Sequence, residues 1–423
     1  MIKHCTPPAP NPKAYRLLVA ALATASFLQW TGASAVLPLL PLYLVHRGNS
    51  TGLIGAVMAS FFAAGVAAQY LSGRLGDRIG HRPVLILGLL GYAFASAGFL
   101  LDLSGWGYLV LRSSQGAAAG AAQVACLALV SRAVPAAHRG RAFSAVSGAE
   151  LAGIATGPLL GSAVGVAHMG WLFLAAGTGA ILACVPVLAS RAVAVDVAPR
   201  ADGGRARLPR RGIVGRAVLG VLLVAVISGL LTGVYEACWS LLMDSRGASS
   251  FQIGLSWTFF AVPFVVMAPI SGWLADHRDR RVLVVVALLS GIFFAALYPF
   301  LPTVASLMGL GMLESVGVAL VLPAAQSLLS EHVAAEQVGR AQGMFASTQT
   351  AAVAVSASVA GSLFGLGAWV PFVSSAVAST VVLVAVPLVW RGVPGRVHRS
   401  ATAPSSLAAP SGAAVPSDVS ALR

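Results

Sequence analysis

Charged side chains are scarce in this sequence, because Asp, Glu, Lys and Arg together make up only 9% of its 423 residues. Soluble globular proteins carry about 25% of these residues. Hydrophobic residues make up 57% of the chain, and the mean hydropathy is +0.85. The shortage of charge excludes a soluble globular protein, and the abundance of apolar residues predicts a chain that spans a membrane.

Cysteine and histidine are too few or too scattered to indicate a covalent framework or a metal centre. Three of the four cysteines (Cys126, Cys184 and Cys238) fall in different apolar segments, which predicts no disulfide framework. The eight histidines lack the spacing of metal ligands. The nucleotide-binding pattern G-x-x-x-x-G-K-[ST] does not occur. We therefore expect no metal, no cofactor, no enzymatic activity and no transport powered by ATP bound to this chain.

Twelve apolar runs reach the roughly 17–25 residues that a helix needs to cross a bilayer. We therefore predict an all-α membrane protein with twelve transmembrane helices. The approximate spans are 16–45, 51–73, 83–103, 105–131, 142–166, 168–190, 214–243, 251–274, 282–302, 304–330, 341–366 and 368–390.

A basic stretch that contains proline and glycine divides these runs into two sets of six. It predicts an N-terminal bundle at 1–190, a cytoplasmic linker at 191–213 and a C-terminal bundle at 214–391. The residues after 391 turn to Ala, Pro and Ser without an apolar period, which predicts a disordered cytoplasmic tail at 392–423.

The net charge of +14 follows the predicted topology. With the N-terminus inside, all lysines and arginines but three lie on the inner side; Arg47 and Arg246 fall in outer loops and Arg112 lies within a span. This positive-inside asymmetry predicts cytoplasmic termini and accounts for the basic charge without a nucleic-acid partner. Because arginine far outnumbers lysine and alanine is abundant, we expect a bacterial cell, and therefore a multi-pass protein of its inner membrane.

The chain repeats itself at a constant offset of 199 residues. The segment 73–82 returns as 272–281, Ile54-Gly55 returns as Ile253-Gly254, and Arg47-Gly48 returns as Arg246-Gly247. Two equal halves built on one plan are typical of a duplicated membrane fold, in which the substrate path lies where the repeats meet.

The segment 73–82 carries the pattern G-x-L-x-D-R-x-G-x-R and joins the second and third predicted spans on the inner side. It closely resembles the loop signature of the major facilitator superfamily, and a weaker copy with Asp276 and Arg281 lies between the eighth and ninth spans. The resemblance implies two pseudo-symmetric six-helix bundles and a gating loop formed by Gly73, Asp77, Arg78, Gly80, Arg82, Asp276 and Arg281.

Within that loop, glycine and aspartate have separate expected roles. We expect Gly73 to allow close helix approach and Gly80 to permit a tight turn. By resemblance, Asp77 caps the eleventh helix when the transporter opens outward, with Arg78 and Arg82 as its ionic partners. The family often has an acidic residue near the end of the fourth helix, and this sequence has none there.

Two further patterns match the same family. In the fourth span, Arg112 and Gln115 begin R-x-x-Q-G-x-x-x-G and share one helix face. In the fifth span, 153–161 fits G-x-x-x-G-P-x-x-G, which looks like the motif of exporters of the drug:proton antiporter type. Its defining residues are Gly153, Gly157, Pro158 and Gly161. The counterpart at 352–360 lacks the Gly-Pro, so the pattern is not a general property of the fold.

Three acidic residues lie inside predicted spans: Glu150, Glu236 and Glu314. Each is costly in hydrocarbon and is therefore a candidate for proton coupling, together with Arg112. The alternative for each is a buried carboxyl kept neutral by hydrogen bonding. Glu314 is the first choice, because it occupies the repeat position of Gln115. Whether Arg112 pairs with Glu150 or with Glu314 stays open.

The predicted substrate cavity combines these polar residues with aromatic residues inside the first, seventh and eighth spans. It consists of Gln29, Trp30, Arg112, Gln115, Tyr235, Glu236, Trp239, Trp257 and Glu314. The resemblance implies a monomeric secondary transporter that exports small amphipathic compounds in exchange for protons, by alternating access. One alternative is an exporter or proton symporter of a sugar or other polar metabolite. A second is a non-transporting membrane sensor or scaffold.

Overall fold

The computed structural model describes residues 12–101, 103–190, 215–333 and 337–393. Within these ranges the chain forms α-helices and two short 3₁₀ helices and contains no β-strand, which confirms the all-α prediction. The linker predicted at 191–213, and the tail predicted at 392–423 except for its first two residues, lie outside the described residues.

The N-terminal half contains seven helices. They are α1 (Pro12–Val36), α2 (Leu40–His46), α3 (Thr51–Ile79), α4 (His81–Gly98), α5 (Gly105–Ala133), α6 (Ala136–Val164) and α7 (Met169–Ala189). The C-terminal half repeats the arrangement. Its helices are α8 (Arg216–Ser245), α9 (Ser250–His277), α10 (Arg280–Leu297), α11 (Val304–Val318), α12 (Val321–Glu331), α13 (Val338–Phe364) and α14 (Val370–Val389).

Two predicted spans are interrupted, and a proline accounts for each interruption. The first span is divided between α1 and α2 at Pro38, which lacks an N–H and disfavours helical geometry in the residue before it. The tenth span is divided between α11 and α12. There Pro323 cannot bond to the carbonyl of Ala319 four residues earlier.

Nine helical segments within the described ranges are long and apolar enough to cross a membrane. They include the joined pairs α1–α2 and α11–α12, whereas α4, α6 and α13 fall outside this set. The structure therefore supports a multi-pass membrane protein, and the number twelve stays a prediction.

The two halves are joined at one end. We call the end near residues 47–50 and 246–249 the outer end and the end near residues 80 and 279 the inner end, after the predicted topology. At the outer end, α3 packs against α13 and α6 against α9. A Cβ added at Gly361 would overlap the backbone of Thr51 and Gly55, and one added at Gly254 would overlap Pro158 and Ser162.

The hydrophobic clusters of buried residues show the same asymmetry between the ends. The cluster at the inner end of the N-terminal half draws on that half alone, and its counterpart draws on the C-terminal half alone. At the outer end, one cluster joins Leu42 and Ala59 to Ile253, Ala357 and other residues of the C-terminal half. The halves therefore share a core at the outer end and have separate cores at the inner end.

Candidate substrate and proton site

Glu314 lies in α11 with its side chain only 2% exposed. Its Oε1 accepts a hydrogen bond from the Tyr235 hydroxyl at 2.8 Å, and its Oε2 accepts one from the Tyr298 hydroxyl at 2.5 Å. Both carboxyl oxygens thus have a donor, which offsets part of the cost of burying the group. The phenols approach from α8 and from the short 3₁₀ helix Tyr298–Phe300 that follows α10.

Aromatic rings surround this carboxyl. The Trp239 ring meets Tyr298 edge to face with 4.9 Å between ring centroids, and its indole N–H donates to the Ser256 hydroxyl at 2.8 Å. A cavity opens beside the cluster, and its empty space, open solvent included, is about 420 Å³. Its lining residues are Tyr235, Trp239, Ser256, Trp257, Phe260, Tyr298, Met308, Gly311 and Glu314.

A second and larger cavity, with about 940 Å³ of empty space, is also lined by Glu314 and Tyr235. Its walls come from α8 to α13, and all belong to the C-terminal half. Trp257, Phe260 and Phe264 form its aromatic wall, and Glu314 is the acidic residue in its lining. The two cavities therefore share Tyr235 and Glu314 at their boundary.

The Arg112 guanidinium is buried in the N-terminal half, with only 1% of the residue exposed. It donates to Gln115 Oε1 at 3.0 Å, and Gln115 Nε2 in turn donates to the Ser96 hydroxyl at 2.9 Å. The guanidinium lies over the Phe61 ring, 4.2 Å from its centroid, which is a cation–π contact. Arg112 is thus fixed within its own half rather than directed to an inner or outer surface.

The carboxylate that acts on Arg112 across the boundary between the halves is Glu236, by Coulombic attraction. Arg112 Nε and Glu236 Oε2 are both buried and have no hydrogen-bond partner within the described ranges. The sequence left pairing with Glu150 or Glu314 open, and the structure favours neither. Adjacent helical residues point about 100° apart, so Glu236 and Tyr235, which donates to Glu314, lie on different sides of α8.

Glu150 belongs to a separate polar chain in the N-terminal half. Gln69 donates to Gln123 at 3.2 Å, and Gln123 donates to Glu150 Oε1 at 3.0 Å. Glu150 also lines a cavity of about 330 Å³ together with Gln29 and Trp30. The predicted cavity residues therefore divide into three places: the Glu314 cavities, the Arg112–Gln115 cluster and this smaller pocket.

Residues of the predicted gating loop contact the ends of α5 and α7. Asp77 pairs with Arg132 at the end of α5, at 2.6 Å, and lies 3.7 Å from His81. Arg82 donates to the carbonyl oxygens of Val187 and Leu188 at the end of α7, and Arg78 is exposed. Sequence reasoning did not find Arg132, because it searched that helix end for an acidic residue.

The glycines of the same loop also separate in role. Gly80 adopts φ +93°, as expected for a tight turn. The close approach expected at Gly73 lies instead at Gly76, where an added Cβ would overlap the His81 ring. At Gly73 an added Cβ would meet Val124 at an ordinary 3.8 Å, so that position is not tightly packed.

In the C-terminal half, Asp279 and Arg281 form the corresponding turn. Asp279 caps α10 and pairs with Arg281 at 2.8 Å, and these hydrogen bonds hold the pKa of Asp279 below its usual value. The buried Arg280 forms an ion pair with Glu331 at the end of α12. Asp276 lies in α9, and its side chain is outside the described part of the structure.

The residues of the predicted exporter motif lie at two interfaces. Added Cβ atoms at Gly153, Gly157 and Gly161 would each overlap α1, so these glycines pack within the N-terminal half. The carbonyl of Pro158 lies against Gly254 of α9 and thus joins the halves at the outer end.

Tyr298 is the main site residue that sequence reasoning missed. It lies near the end of the ninth predicted span, where an aromatic residue is expected to anchor at the membrane interface. The repeat carried a signal, because Tyr298 is 199 residues from Phe99. A hydroxyl is therefore present only in the half with the carboxyl.

Comparisons with known proteins agree with this architecture. A family model described as Major Facilitator Superfamily matches residues 22–236 and residues 221–415. A chloramphenicol resistance protein of Pseudomonas aeruginosa is 34% identical over 155 residues, which cover 36% of this chain and 37% of that protein. A tetracycline resistance protein, class E, of Escherichia coli is 25% identical over 338 residues, which cover 76% and 81% respectively.

The crystal structure of the nucleoside transporter NupG matches with a TM-score of 0.72 at 15% identity, over 88% of this chain and 99% of that one. At this identity the likeness concerns the fold alone. The chain spans about two fifths of the length of the first curated relatives it matches.

Proposed function

Because this chain belongs to the Major Facilitator Superfamily, we propose that it exports small amphipathic compounds in exchange for protons. Membership makes the chain a multi-pass membrane transporter of small molecules and not an enzyme. It also argues against a sensor or scaffold that transports nothing. The substrate class, the coupling to protons and the direction of transport are the proposal.

The observation that carries the proposal is the pair of cavities around Glu314. Their walls are mostly apolar and aromatic, and Glu314 supplies the acidic group at their boundary. An amphipathic molecule buries its apolar part against such walls, and a positive charge on it is attracted to a carboxylate and to aromatic faces. A sugar transporter would need many more polar groups along the wall, so a polar metabolite is the second candidate.

Two observations support export as the direction. Pro158, in the motif that resembles that of exporters, contributes to the outer closure. Two of the matched relatives are described as chloramphenicol and tetracycline resistance proteins, which are names consistent with removal of a compound from the cell.

Coupling would follow from competition at one carboxyl. A protonated Glu314 is neutral and offers little to a cation, whereas an ionised Glu314 binds one. Because the carboxyl is buried, its ionised form alone is costly. The site is therefore more stable with either a proton on Glu314 or a positively charged substrate beside it. Exchange of the two, combined with rocking of the halves, gives export driven by the proton gradient.

Glu236, Glu150 and Arg112 have other proposed roles. The attraction between Glu236 and Arg112 acts across the boundary between the halves, so protonation of Glu236 would weaken it and ease their separation. Glu150 is bound to Gln123 away from the larger cavities and could pass a proton to the inner end. For the location, we propose a monomer in a bacterial inner membrane with both termini in the cytoplasm.

The test is transport by the purified protein in liposomes with an acidic lumen and an alkaline medium. Tetraphenylphosphonium, chloramphenicol and tetracycline serve as amphipathic probes, and a sugar and a nucleoside serve as polar probes. We expect at least one amphipathic probe to accumulate inside, with matching proton release that a protonophore abolishes. Accumulation of the polar probes alone would favour the second candidate. Accumulation that ignores the pH gradient would contradict proton coupling.

A further inference from the structure

The two tyrosines that hold Glu314 differ in their freedom to move. Tyr298 is 1% exposed and is wedged against the Trp239 ring. Pro299 follows it, and the Arg246 guanidinium donates to the Pro299 carbonyl at 2.6 Å, which ties this short segment to the outer end of α8. Tyr235 is only partly buried and lines both cavities.

We propose that Tyr298 is the positioning residue for Glu314: it holds Oε2 in every step, so that Oε1 and Tyr235 alone exchange partners with the proton and the substrate. The proposal rests on the proposed role of Glu314 in coupling. It assigns different tasks to two phenols that sequence type alone would treat as equivalent.

The hydrogen-bonding chemistry of the groups allows this division. A phenol both donates and accepts, whereas an ionised carboxylate only accepts. When Glu314 takes up a proton on Oε1, that O–H can donate to Tyr235 while Tyr298 continues to donate to Oε2. When a cation approaches from the cavity, Tyr235 can turn away from Oε1 without disturbing the Oε2 contact. A glutamate fixed at one oxygen therefore presents a single reactive atom.

Among the described groups around Glu314, the two tyrosines are the ones that hydrogen-bond its carboxyl oxygens. Tyr235 of α8 and Tyr298 after α10 are the described titratable groups that act on it. Gly291 of α10 lies beside Oε1, and Gly311 of α11 lies beside the Tyr298 hydroxyl. From α9, Ser256 and Trp257 complete the lining. No arginine or lysine is found in this lining within the described residues.

The repeat separates the packing role of the ring from the role of the hydroxyl. Phe99, the counterpart of Tyr298, is also 1% exposed and stacks on Phe173 with 4.6 Å between centroids. The position therefore needs a buried ring in both halves. The hydroxyl occurs only in the half whose equivalent of Gln115 is a carboxyl. Packing therefore explains the buried aromatic ring at both positions, and the hydrogen bond to Glu314 explains the hydroxyl of Tyr298.

Tyr298→Phe is the test, and Phe99 shows that a phenylalanine ring is compatible with this position of the fold. We expect the pH at which pH-driven export of tetraphenylphosphonium is half-maximal to move upward by about one unit, since a hydrogen bond to a charged group corresponds to roughly 1–2 pH units. The KM for the probe should change less than about two-fold, because Tyr298 does not release Oε2 when the substrate binds.

Three further variants make the outcome decisive. Tyr235→Phe should change the KM by more than Tyr298→Phe does. Tyr43→Phe, which removes a phenol that donates to no carboxylate in the described structure, should change neither quantity. Glu314→Gln separates the two proposals: retained pH-driven export there would overturn the proposed coupling site. Lost export in Glu314→Gln beside an unshifted pH profile in Tyr298→Phe would overturn the positioning role alone.

Infrared spectroscopy gives a second readout that does not need transport. In the wild-type protein the carboxyl C=O band that disappears in Glu314→Gln should titrate with pH. In Tyr298→Phe the same band should move in frequency and titrate at higher pH. An identical band and titration in both proteins would contradict a hydrogen bond that positions the carboxyl.

Discussion

The two halves of this protein place different chemistry at the same position of a repeated fold. In the N-terminal half, Gln115 is held by hydrogen bonds with Arg112 and Ser96, and the buried guanidinium of Arg112 places a positive charge beside it. In the C-terminal half, Glu314 is fixed by two phenols beside open cavities of about 420 and 940 Å³. The helix plan is the same in both halves, but this position carries an amide in the N-terminal half and a carboxyl beside two cavities in the C-terminal half.

A similar divergence occurs at the inner end. Position 132 carries an arginine that pairs with Asp77, whereas its repeat equivalent, 331, carries a glutamate that pairs with Arg280. Each half thus has an ion pair at the same helix end with the signs exchanged. The outer end shows the opposite behaviour, because the contacts of Gly55 with Gly361 and of Gly254 with Ser162 are repeat equivalents. The contacts that close the outer end are therefore the same in both halves, whereas the ion pairs at the inner end differ.

The largest expected effect comes from removing the chemical difference between the halves. Glu314→Gln mimics a permanently protonated carboxyl and should reduce pH-driven export to the level of empty liposomes, while exchange of a neutral probe such as chloramphenicol down its own gradient survives. Transport of a labelled probe in both modes measures this.

The swapped variant Gln115→Glu/Glu314→Gln sharpens the same comparison. It should not restore export, because Arg112 lies beside residue 115 and would pair with the new carboxylate. Glu150→Gln and Glu236→Gln are the controls. Full export by Glu314→Gln, with export abolished in one of these two, would move the coupling site to that helix.

The next effect concerns the charge difference at the inner end. Asp77→Asn keeps the size of the side chain but loses the ion pair with Arg132 and, by family resemblance, a contact with the N-terminus of the eleventh helix. We expect near-normal insertion and a roughly ten-fold lower transport rate, or about 1.4 kcal/mol, within the range for a charge at a helix end.

Glu331→Gln is the matched change in the other half. It removes the charge that pairs with the buried Arg280, but the amide oxygen of Gln can still accept a hydrogen bond from the guanidinium, so we expect a smaller loss of transport than in Asp77→Asn. Rates are measured in vesicles with equal amounts of protein. Equal losses in the two variants would mean that the halves contribute alike at the inner end, and an unchanged rate in Asp77→Asn would remove Asp77 from the mechanism.

A smaller effect tests the symmetric closure. Gly361→Ala places a methyl group against the α3 backbone of the other half, so it should favour the outward-open state by about 1 kcal/mol, the lower end for overpacking. Gly229→Ala causes a similar overlap within the C-terminal half, against Gln349 and Ala352.

Spin labels at Asn49 and Leu366, in a background without the four native cysteines, report the separation of the outer ends. Gly361→Ala should increase the long-distance population about five-fold, and Gly229→Ala should leave it unchanged. If both variants give the wild-type distance distribution, the contact at Gly361 does not control closure.

The sequence predicted features that depend on local composition or on repetition. Hydropathy gave most of the spans, and the 199-residue offset together with the loop signature gave the family. Averaged hydropathy could not locate the interruptions at Pro38 and Pro323, because one proline hardly changes the mean of a long window. The loop signature predicted close helix approach at Gly73, whereas the tight contact in the structure is that of Gly76 with the His81 ring.

The contacts within the candidate site were harder to predict from the sequence, because they depend on how each helix is rotated about its axis. Adjacency in sequence groups Glu236 with Tyr235 and Trp239, but Glu236 points to a different side of α8 from Tyr235. Tyr298 meets Glu314 only because α10 ends beside α11 and the short 3₁₀ helix turns its ring inward. Hydropathy and motif patterns do not report such angles. The 199-residue offset between Phe99 and Tyr298 was the sequence feature that could have indicated a site role for the Tyr298 hydroxyl.

A last expected effect concerns the wall of the cavity. The Trp257 indole N–H is buried and has no hydrogen-bond partner within the described residues, and it lines both cavities. A substrate with an oxygen acceptor can satisfy this donor. Trp257→Phe should therefore raise the KM for chloramphenicol about two- to ten-fold, the range of one net hydrogen bond. Tetraphenylphosphonium has no acceptor, so its KM should change less. Equal changes for both probes would mean that Trp257 acts through ring area alone, and the cavity would then select its substrates by shape and charge.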